Sequence, residues 1–292
     1  MRLTSILLVV ALVLALLSGC SQPKTAQIVA TTLPVYQFTV RICSNTGISV
    51  SRLVTESVSC LHDYSLNVDQ VRAIESAEAV ILSGAGLEGF MDDLTHPAQT
   101  VIDSSVGIQR MSCGIEHDHD HEDGHNHDED AHLWLSPANA KCMAGNICQG
   151  LINLYPEHED AFRSNLKALL EDLDALEEYG KTQLASLSCR ELITFHDGFG
   201  YLAQAFDLHI LEAIEEESGS EASAKELIHM IELVRSHQLP AIFTERNGSV
   251  SAADIISRET GSTVFQLDMA MAGNDYFEAM YHNIDTIREA LG

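Results

Sequence analysis

The residues with the clearest potential chemistry lie between Glu116 and Pro137, where imidazoles alternate with carboxylates. The first five histidines of this stretch are His117, His119, His121, His125 and His127. Imidazole and carboxylate together favour zinc and neighbouring divalent metals. Because the spacing is irregular and the charges are alike, residues 116–130 predict an accessory metal-attracting loop and no single tetrahedral site. A solvated acidic loop is the alternative, whereas the internal position and interleaved acids disfavour a purification tag.

Three further histidines stand apart, each where an apolar segment gives way to a loop or a helix start: His62, His132 and His196. Asp268 follows the apolar segment 263–267 in the same manner. Ligands of open α/β sheets bind outside the carboxyl ends of the strands, so these side chains could converge on one cleft. Each histidine alone would be an ordinary surface residue, and only the shared placement favours a site.

Short apolar runs alternate with helical patterns along the whole chain, which predicts an α/β fold with parallel sheets flanked by helices. One long helical pattern over 157–187 has no proline, and its first glycine is Gly180. The chain length favours two lobes. The predicted division is therefore an N-terminal metal-binding lobe at 20–156, a connecting helix at 157–187 and a C-terminal metal-binding lobe at 188–292.

The N-terminus has the layout of a secretory signal over 1–19, with a basic start, an apolar run and small residues before Cys20. The apolar run is shorter than the roughly 20 residues that a spanning helix needs. The sequence Leu-Ser-Gly-Cys ending at Cys20 resembles the bacterial lipobox, which predicts cleavage before Cys20 and its lipidation. An uncleaved anchor is the alternative. Both place the protein outside the cytoplasm, held to a membrane.

The formal net charge of −27 excludes nucleic acid as a partner and favours cations near the surface. An even number of cysteines remains after Cys20, which allows disulfides in an exported chain, and buried thiols are the other possibility. Sequence does not choose among their pairings. These cysteines are Cys43, Cys60, Cys113, Cys142, Cys148 and Cys189.

The chain resembles the metal-binding lipoproteins of bacterial zinc and manganese ABC importers. The matching stretches run in the expected order as VATTLPVYQFTVRI, HDYSLNVDQVRAIESAEAVILSGAGLEGFMDDL, HLWLSPANA, TFHDGFGYLAQAF and FTERNGSVSAADIISRETGSTVFQLD. The resemblance implies two α/β lobes joined by a long, rather rigid helix. It also implies that His62, His132 and His196 are imidazole ligands. Asp268 stands where many members supply a carboxylate and others leave the place to water or another acid.

Three imidazoles and one oxygen suit tetrahedral Zn²⁺, with Zn–N distances of about 2.0–2.1 Å. Manganese prefers more oxygen, and the manganese binders that this chain resembles carry an acid in place of His196. Copper or nickel would compete on affinity alone. Asp63, Asp197 and Glu245 lie near enough in sequence to orient the imidazoles, although ordinary surface roles fit them equally. Relatives commonly have proline just before the first ligand, where this chain has Leu61.

The resemblance implies a monomeric, lipid-anchored protein that captures Zn²⁺ and delivers it to an ABC-type membrane permease, without enzymatic activity. A zinc hydrolase is one alternative, because metal-bound water is a nucleophile, but no HExxH motif occurs here. An adhesin built on the same fold is the other alternative.

Overall fold

The structure is a computed structural model that describes residues 26–56, 61, 64–91, 99–112, 129–214, 222–246, 250–271 and 273–292. Several predictions therefore concern residues outside this set. These are the signal at 1–19, Cys20, His62, Asp63, Cys60, Cys113 and the histidines from His117 to His127.

The described strands form two four-stranded sheets in which all paired strands are parallel. The first sheet has the order β2-β1-β3-β4 and the second the order β6-β5-β7-β8. The strands are β1 (Ile28–Ala30), β2 (Val50–Arg52), β3 (Ala79–Leu82), β4 (Thr100–Asp103), β5 (Glu191–Thr194), β6 (His209–Ala213), β7 (Ala241–Glu245) and β8 (Thr263–Leu267). Helices connect and flank the strands, so the predicted α/β fold class is confirmed.

The α-helices of the described residues lie between the strands, as the alternation of apolar runs and helical patterns predicts. They are α1 (Leu33–Ile42), α2 (Val68–Ser76), α3 (Pro137–Leu154), α4 (Glu159–Gln183), α5 (Gly200–Ala205), α6 (Ala224–His237), α7 (Ser251–Thr260) and α8 (Tyr276–Leu291). Short 3₁₀ turns lie at Gly89–Met91, Leu133–Leu135 and Pro156–His158. None of the helices in the described part of the chain has the length and apolarity needed to cross a bilayer.

Local side-chain chemistry sets several helix starts. Asn67 caps α2, because its side chain accepts from the backbone N–H groups of Asp69 and Gln70. The side chain of Gln70 in turn accepts from the backbone N–H of Asn67. Ser136 caps α3 directly before Pro137, where a missing N–H costs no hydrogen bond.

The sequence of residues 87–94, which follows a predicted turn, also predicts a helix, but that helix is absent from the described part of the segment. There the chain forms only the 3₁₀ turn Gly89–Met91. The physical reason is a tight turn with positive φ at Gly84, Ala85 and Gly86, whose start is held by the carboxylate of Glu88. An acidic side chain that accepts from the backbone N–H groups before it stabilises a turn in place of a helix.

The long helix α4 buries one stripe against the helices of both halves. The stripe consists of Phe162, Leu169, Leu173, Leu176 and Gly180, which recur at helical spacing. A Cβ at Gly180 would lie 2.2 Å from Cε1 of Phe206, so glycine permits this approach. One hydrophobic core consequently continues from the first half of the chain into the second.

Candidate metal centre

His132 is buried at the entrance to the turn Leu133–Leu135, with 2 % of its surface exposed. Asp130 holds it twice through Oδ1, which accepts from the backbone N–H of His132 at 2.8 Å and lies 2.8 Å from its Nδ1. A carboxylate at Nδ1 favours the proton on that nitrogen, so Nε2 carries the lone pair when the ring is neutral. His132 is thus fixed in the tautomer of a metal ligand.

The segment that carries His132 is tied to the second half of the chain through Trp134, which is fully buried. The Trp134 indole Nε1 donates to the carbonyl of Met269 at 2.8 Å, and Tyr276 Oη donates to the carbonyl of Trp134 at 2.7 Å. Met269 follows β8, whereas Tyr276 begins α8. These bonds hold His132 against the carboxyl edge of the second sheet.

His196 lies two residues beyond β5, and its Nδ1 is 3.1 Å from Oε1 of Glu245, the last residue of β7. The side chain of Glu245 is only 7 % exposed, and burial raises its pKa to about 7. The nearby Asp268 charge raises the same pKa, whereas His132 lowers it. Glu245 therefore orients the imidazole of His196 as Asp130 orients that of His132.

The two imidazoles meet through their remaining nitrogens, with Nε2 of His132 and Nε2 of His196 3.4 Å apart. When both Nδ1 atoms donate to carboxylates, two lone pairs face each other, an arrangement that a cation between them relieves. Two nitrogens on one tetrahedral zinc at about 2.0–2.1 Å stand roughly 3.3–3.4 Å apart. The observed separation therefore suits a shared zinc ion.

Gly198 allows the two rings to approach. A Cβ at this position would lie 2.7 Å from Cδ2 of His196 and 2.8 Å from Nδ1 of His132. The methyl Cε of Met269 would also be 2.7 Å away. A glycine is required here by space, and it lies in the sequence just after the predicted ligand His196.

Asp268 follows β8 and is 9 % exposed, but its carboxylate already has two partners. Its Oδ1 accepts from the backbone N–H of Ala270 at 2.8 Å, and its Oδ2 accepts from Arg246 Nη1 at 3.2 Å. Within the described ranges, no three His, Cys, Asp or Glu side chains converge closely enough to hold a metal ion. Of the four predicted ligands, the structure brings His132 and His196 together, and His62 lies outside the described residues.

Asp130 and Arg246 are the residues at this site that sequence reasoning missed. Asp130 closes the acidic stretch and looks like one more member of it, although its spacing of two residues from His132 is the signal. Glu245, which the sequence offered as an orienting acid, does contact His196. Of the described cysteines, Cys43, Cys142, Cys148 and Cys189 are free. Burial raises the pKa of Cys43 to about 12, as expected for a buried thiol.

Comparison with known proteins gives two streptococcal relatives. The chain is 28% identical over 287 residues to the zinc-binding protein AdcA of Streptococcus pyogenes serotype M3 (strain ATCC BAA-595 / MGAS315), covering 90% of this chain and 55% of that protein. It is 28% identical over 302 aligned residues to the zinc-binding lipoprotein AdcA of Streptococcus pneumoniae serotype 4 (strain ATCC BAA-334 / TIGR4), covering 97% and 60%. The chain thus spans less than two thirds of these relatives.

Solved structures agree with the fold. The crystal structure of ZnuA superposes with a TM-score of 0.78 at 27% identity, covering 91% of this chain and 100% of that one. A zinc-bound ZnuA deletion mutant gives the same TM-score and identity. A laminin-binding adhesin of Streptococcus agalactiae, at 24% identity and a TM-score of 0.79, shares the fold.

The fold and the paired imidazoles define a class of protein, an α/β metal-binding protein with two parallel sheets. The chain belongs to the family described as zinc-uptake complex component A, periplasmic, whose model matches residues 28–290. It is therefore an extracytoplasmic substrate-binding protein of zinc uptake and no enzyme, as the sequence predicted. The streptococcal relatives are named as zinc-binding proteins, and one of the similar solved structures has zinc bound.

Proposed function

We propose that this protein captures Zn²⁺ between His132 and His196 and delivers it to the permease. The observation that carries the proposal is the 3.4 Å separation of the two Nε2 atoms. Both opposite ring nitrogens lie beside buried carboxylates, which raise the basicity of the imidazoles and hold their orientation. Zinc is cargo here, so the site has to hold it firmly and also release it.

His62 is the third ligand in this proposal, on the strength of the resemblance. The nearest described residues, Leu61 and Tyr64, are held in place, which supports this assignment. Leu61 is 1 % exposed. Tyr64 Oη donates to Oε2 of Glu56 at 2.8 Å and accepts from Nε2 of Gln70 at 2.6 Å.

Asp268 completes the proposed ligand set as a carboxylate. The set would then draw His62 and His132 from the lobe at 20–156, and His196 and Asp268 from the lobe at 188–292. The segment 157–187, which contains α4, would connect them. The burial of α4 against helices of both halves supports this division, because it ties both lobes to one rigid element.

The remaining parts of the proposal concern the chain outside the described residues. Cys20 carries the lipid after removal of 1–19 and holds a monomer at the outer face of the membrane. The histidines His117, His119, His121, His125 and His127 form an accessory collector that gathers zinc weakly and is dispensable for the fold. A backbone hydrogen bond of 2.9 Å joins Met111 and Asp130, which flank this segment. This contact supports the view that the segment is dispensable for the fold.

The test is a calorimetric comparison of zinc binding by His62→Ala, His196→Ala and a deletion of residues 117–127. We expect each single substitution to weaken binding by more than the roughly 100-fold reached by losses in the surrounding shell. The deletion should change affinity far less. His229→Ala is the matched control, because His229 is an exposed imidazole that also pairs with a carboxylate, Glu212, at 3.3 Å. Equal losses in the substitutions and the deletion would contradict the ligand assignment.

A further inference from the structure

Arg246 stands at the metal centre with its guanidinium on the predicted fourth ligand. It directly follows β7, and its backbone N–H donates to the carbonyl of Leu267 at 2.9 Å, which extends the pairing of β7 with β8. This register places the Arg246 side chain beside Asp268, with Nη1 at 3.2 Å from Oδ2. The side chain of Arg246 is 62% exposed, whereas that of Asp268 is 12% exposed.

The backbone of Asp268 has little freedom to move. Its N–H donates to Oδ1 of Asn283 at 2.7 Å, and its carbonyl accepts from Nδ2 of Asn283 at 2.7 Å. Asn283 is fully buried in α8. Because Oδ1 of Asp268 is also bound by the N–H of Ala270, Oδ2 is the oxygen whose partner lies on a solvent-exposed side chain.

We propose that Arg246 limits zinc affinity and speeds zinc release by competing with the metal for Oδ2 of Asp268. This inference rests on the proposed function, in which Asp268 is a ligand. In the described geometry Asp268 pairs with Arg246 and does not converge with His132 and His196. Zinc binding then requires Oδ2 to exchange a guanidinium for the metal, and release is assisted by the return of the guanidinium.

The electrostatics act in the same direction. A guanidinium cannot lose its proton near neutral pH, so it remains a fixed positive charge beside an incoming divalent cation. It also weakens the carboxylate as a donor to the metal. For a transport protein this arrangement has a use, because the site has to release the zinc that it captures.

The experiment measures the zinc dissociation constant and dissociation rate by competition with a chromophoric chelator. The variants are Arg246→Gln, Asp268→Asn and the double variant, each compared with wild type. We expect Arg246→Gln to bind zinc up to about fivefold more tightly, mainly through slower release, the range of a partly exposed ion pair. In the Asp268→Asn background the same substitution should have a clearly smaller effect, because only the direct field of the Arg246 charge on the metal is then removed. Arg235→Gln is the charge control, because Arg235 pairs with Glu259 and is 56% exposed.

The outcomes separate this inference from the function on which it rests. Weaker zinc binding by Arg246→Gln would show that Arg246 orients Asp268, which overturns the competition. An equal gain in both backgrounds would reflect the general field of the charge and would also overturn it. Unchanged affinity in Asp268→Asn would remove Asp268 from the ligand set, while zinc binding by wild type would still uphold the proposed capture function.

Discussion

The carboxyl edges of the two sheets have the same topology and different chemistry. In each sheet the second strand in chain order lies at one side of the sheet, next to the first strand. The third and fourth strands follow on the other side of the first. The first edge carries hydroxyl groups and one buried acid, Glu88. The second edge carries His196, Glu245 and Asp268. A shared strand order therefore does not give a shared function.

At the first edge the polar groups bind one another. The carboxylate of Glu88 accepts from Thr31 Oγ1 at 2.6 Å and from the backbone N–H groups of Ser83 and Gly84 at 2.7 and 3.0 Å. Ser104 Oγ donates to the carbonyl of Ser83 at 3.0 Å. Short hydroxyl side chains reach only the adjacent strand, so this network joins strand ends and stabilises the fold.

At the second edge the carboxylates are used to orient longer side chains. Glu245 receives the Nδ1 side of His196, and Asp268 receives Arg246, so the imidazole Nε2 of His196 remains directed at His132. The difference between the edges lies in which atoms are left to bind something else. Among the described residues, the polar atoms of the first edge pair with one another, whereas the second edge leaves imidazole nitrogens available.

The largest expected effect concerns the stability of the first edge. Burial raises the pKa of Glu88 from 4.5 to about 7. The folded protein then holds a proton that the unfolded chain has released, so stability from this group is present at low pH and is lost as pH rises towards 7. Between pH 5 and pH 8, wild type should lose roughly 2–3 kcal/mol that Glu88→Gln does not lose. Urea unfolding at both pH values measures the difference.

The control for this prediction is Glu171→Gln, which changes an exposed carboxylate on α4. It should follow the pH dependence of wild type. Zinc affinity should be unchanged in Glu88→Gln, because the carboxylate of Glu88 is already bound by Thr31 and by the backbone of Ser83 and Gly84. If the free energies of unfolding of wild type and Glu88→Gln change in parallel with pH, Glu88 is not the group that titrates.

The next effect concerns zinc affinity at the second edge. Glu245→Gln and Asp130→Asn should each weaken zinc binding by about tenfold to 100-fold, because a neutral amide no longer strengthens the imidazole as a ligand. The urea midpoint should move little. Glu212→Gln is the matched control, since its carboxylate accepts from the exposed His229. Wild-type affinity in both variants would mean that these carboxylates orient nothing relevant to the metal.

Much of the architecture could be predicted because its signals are local. The helix Ala224–His237 begins after Ser223, whose capping box with Glu226 lies within four residues of sequence. The strand patterns likewise follow from short apolar runs such as residues 241–245. The prediction of a helix at 87–94 was wrong because the carboxylate of Glu88 accepts from backbone N–H groups that precede it. Hydrophobic periodicity does not reveal such a contact.

The candidate site was predictable in part for the same reason. His196 could be selected because it follows an apolar segment, and parallel topology brings such ends to one edge, whereas His132 stands where the acidic stretch gives way to an apolar segment. The pairing of Arg246 with Asp268 depends on the register of β7 and β8, whose paired residues are 22 positions apart in the chain. Sequence spacing carries no record of that register. The roles of His62 and of the histidines from His117 to His127 stay predictions.

The smallest expected effect tests how closely the second edge must pack. Gly198→Ala places a methyl group within 2.8 Å of ring atoms of both His132 and His196, and rings cannot yield as a flexible chain end can. We expect about fivefold weaker zinc binding, the lower end of the cost of overpacking. Gly145→Ala in α3 is the control, because a Cβ there meets nothing within 4 Å. That variant should bind zinc as wild type does and gain about 0.5–1 kcal/mol of stability. Equal zinc affinities for the two alanine variants would mean that the imidazoles shift without cost. That result would contradict the prediction that zinc binding depends on the close approach of the rings.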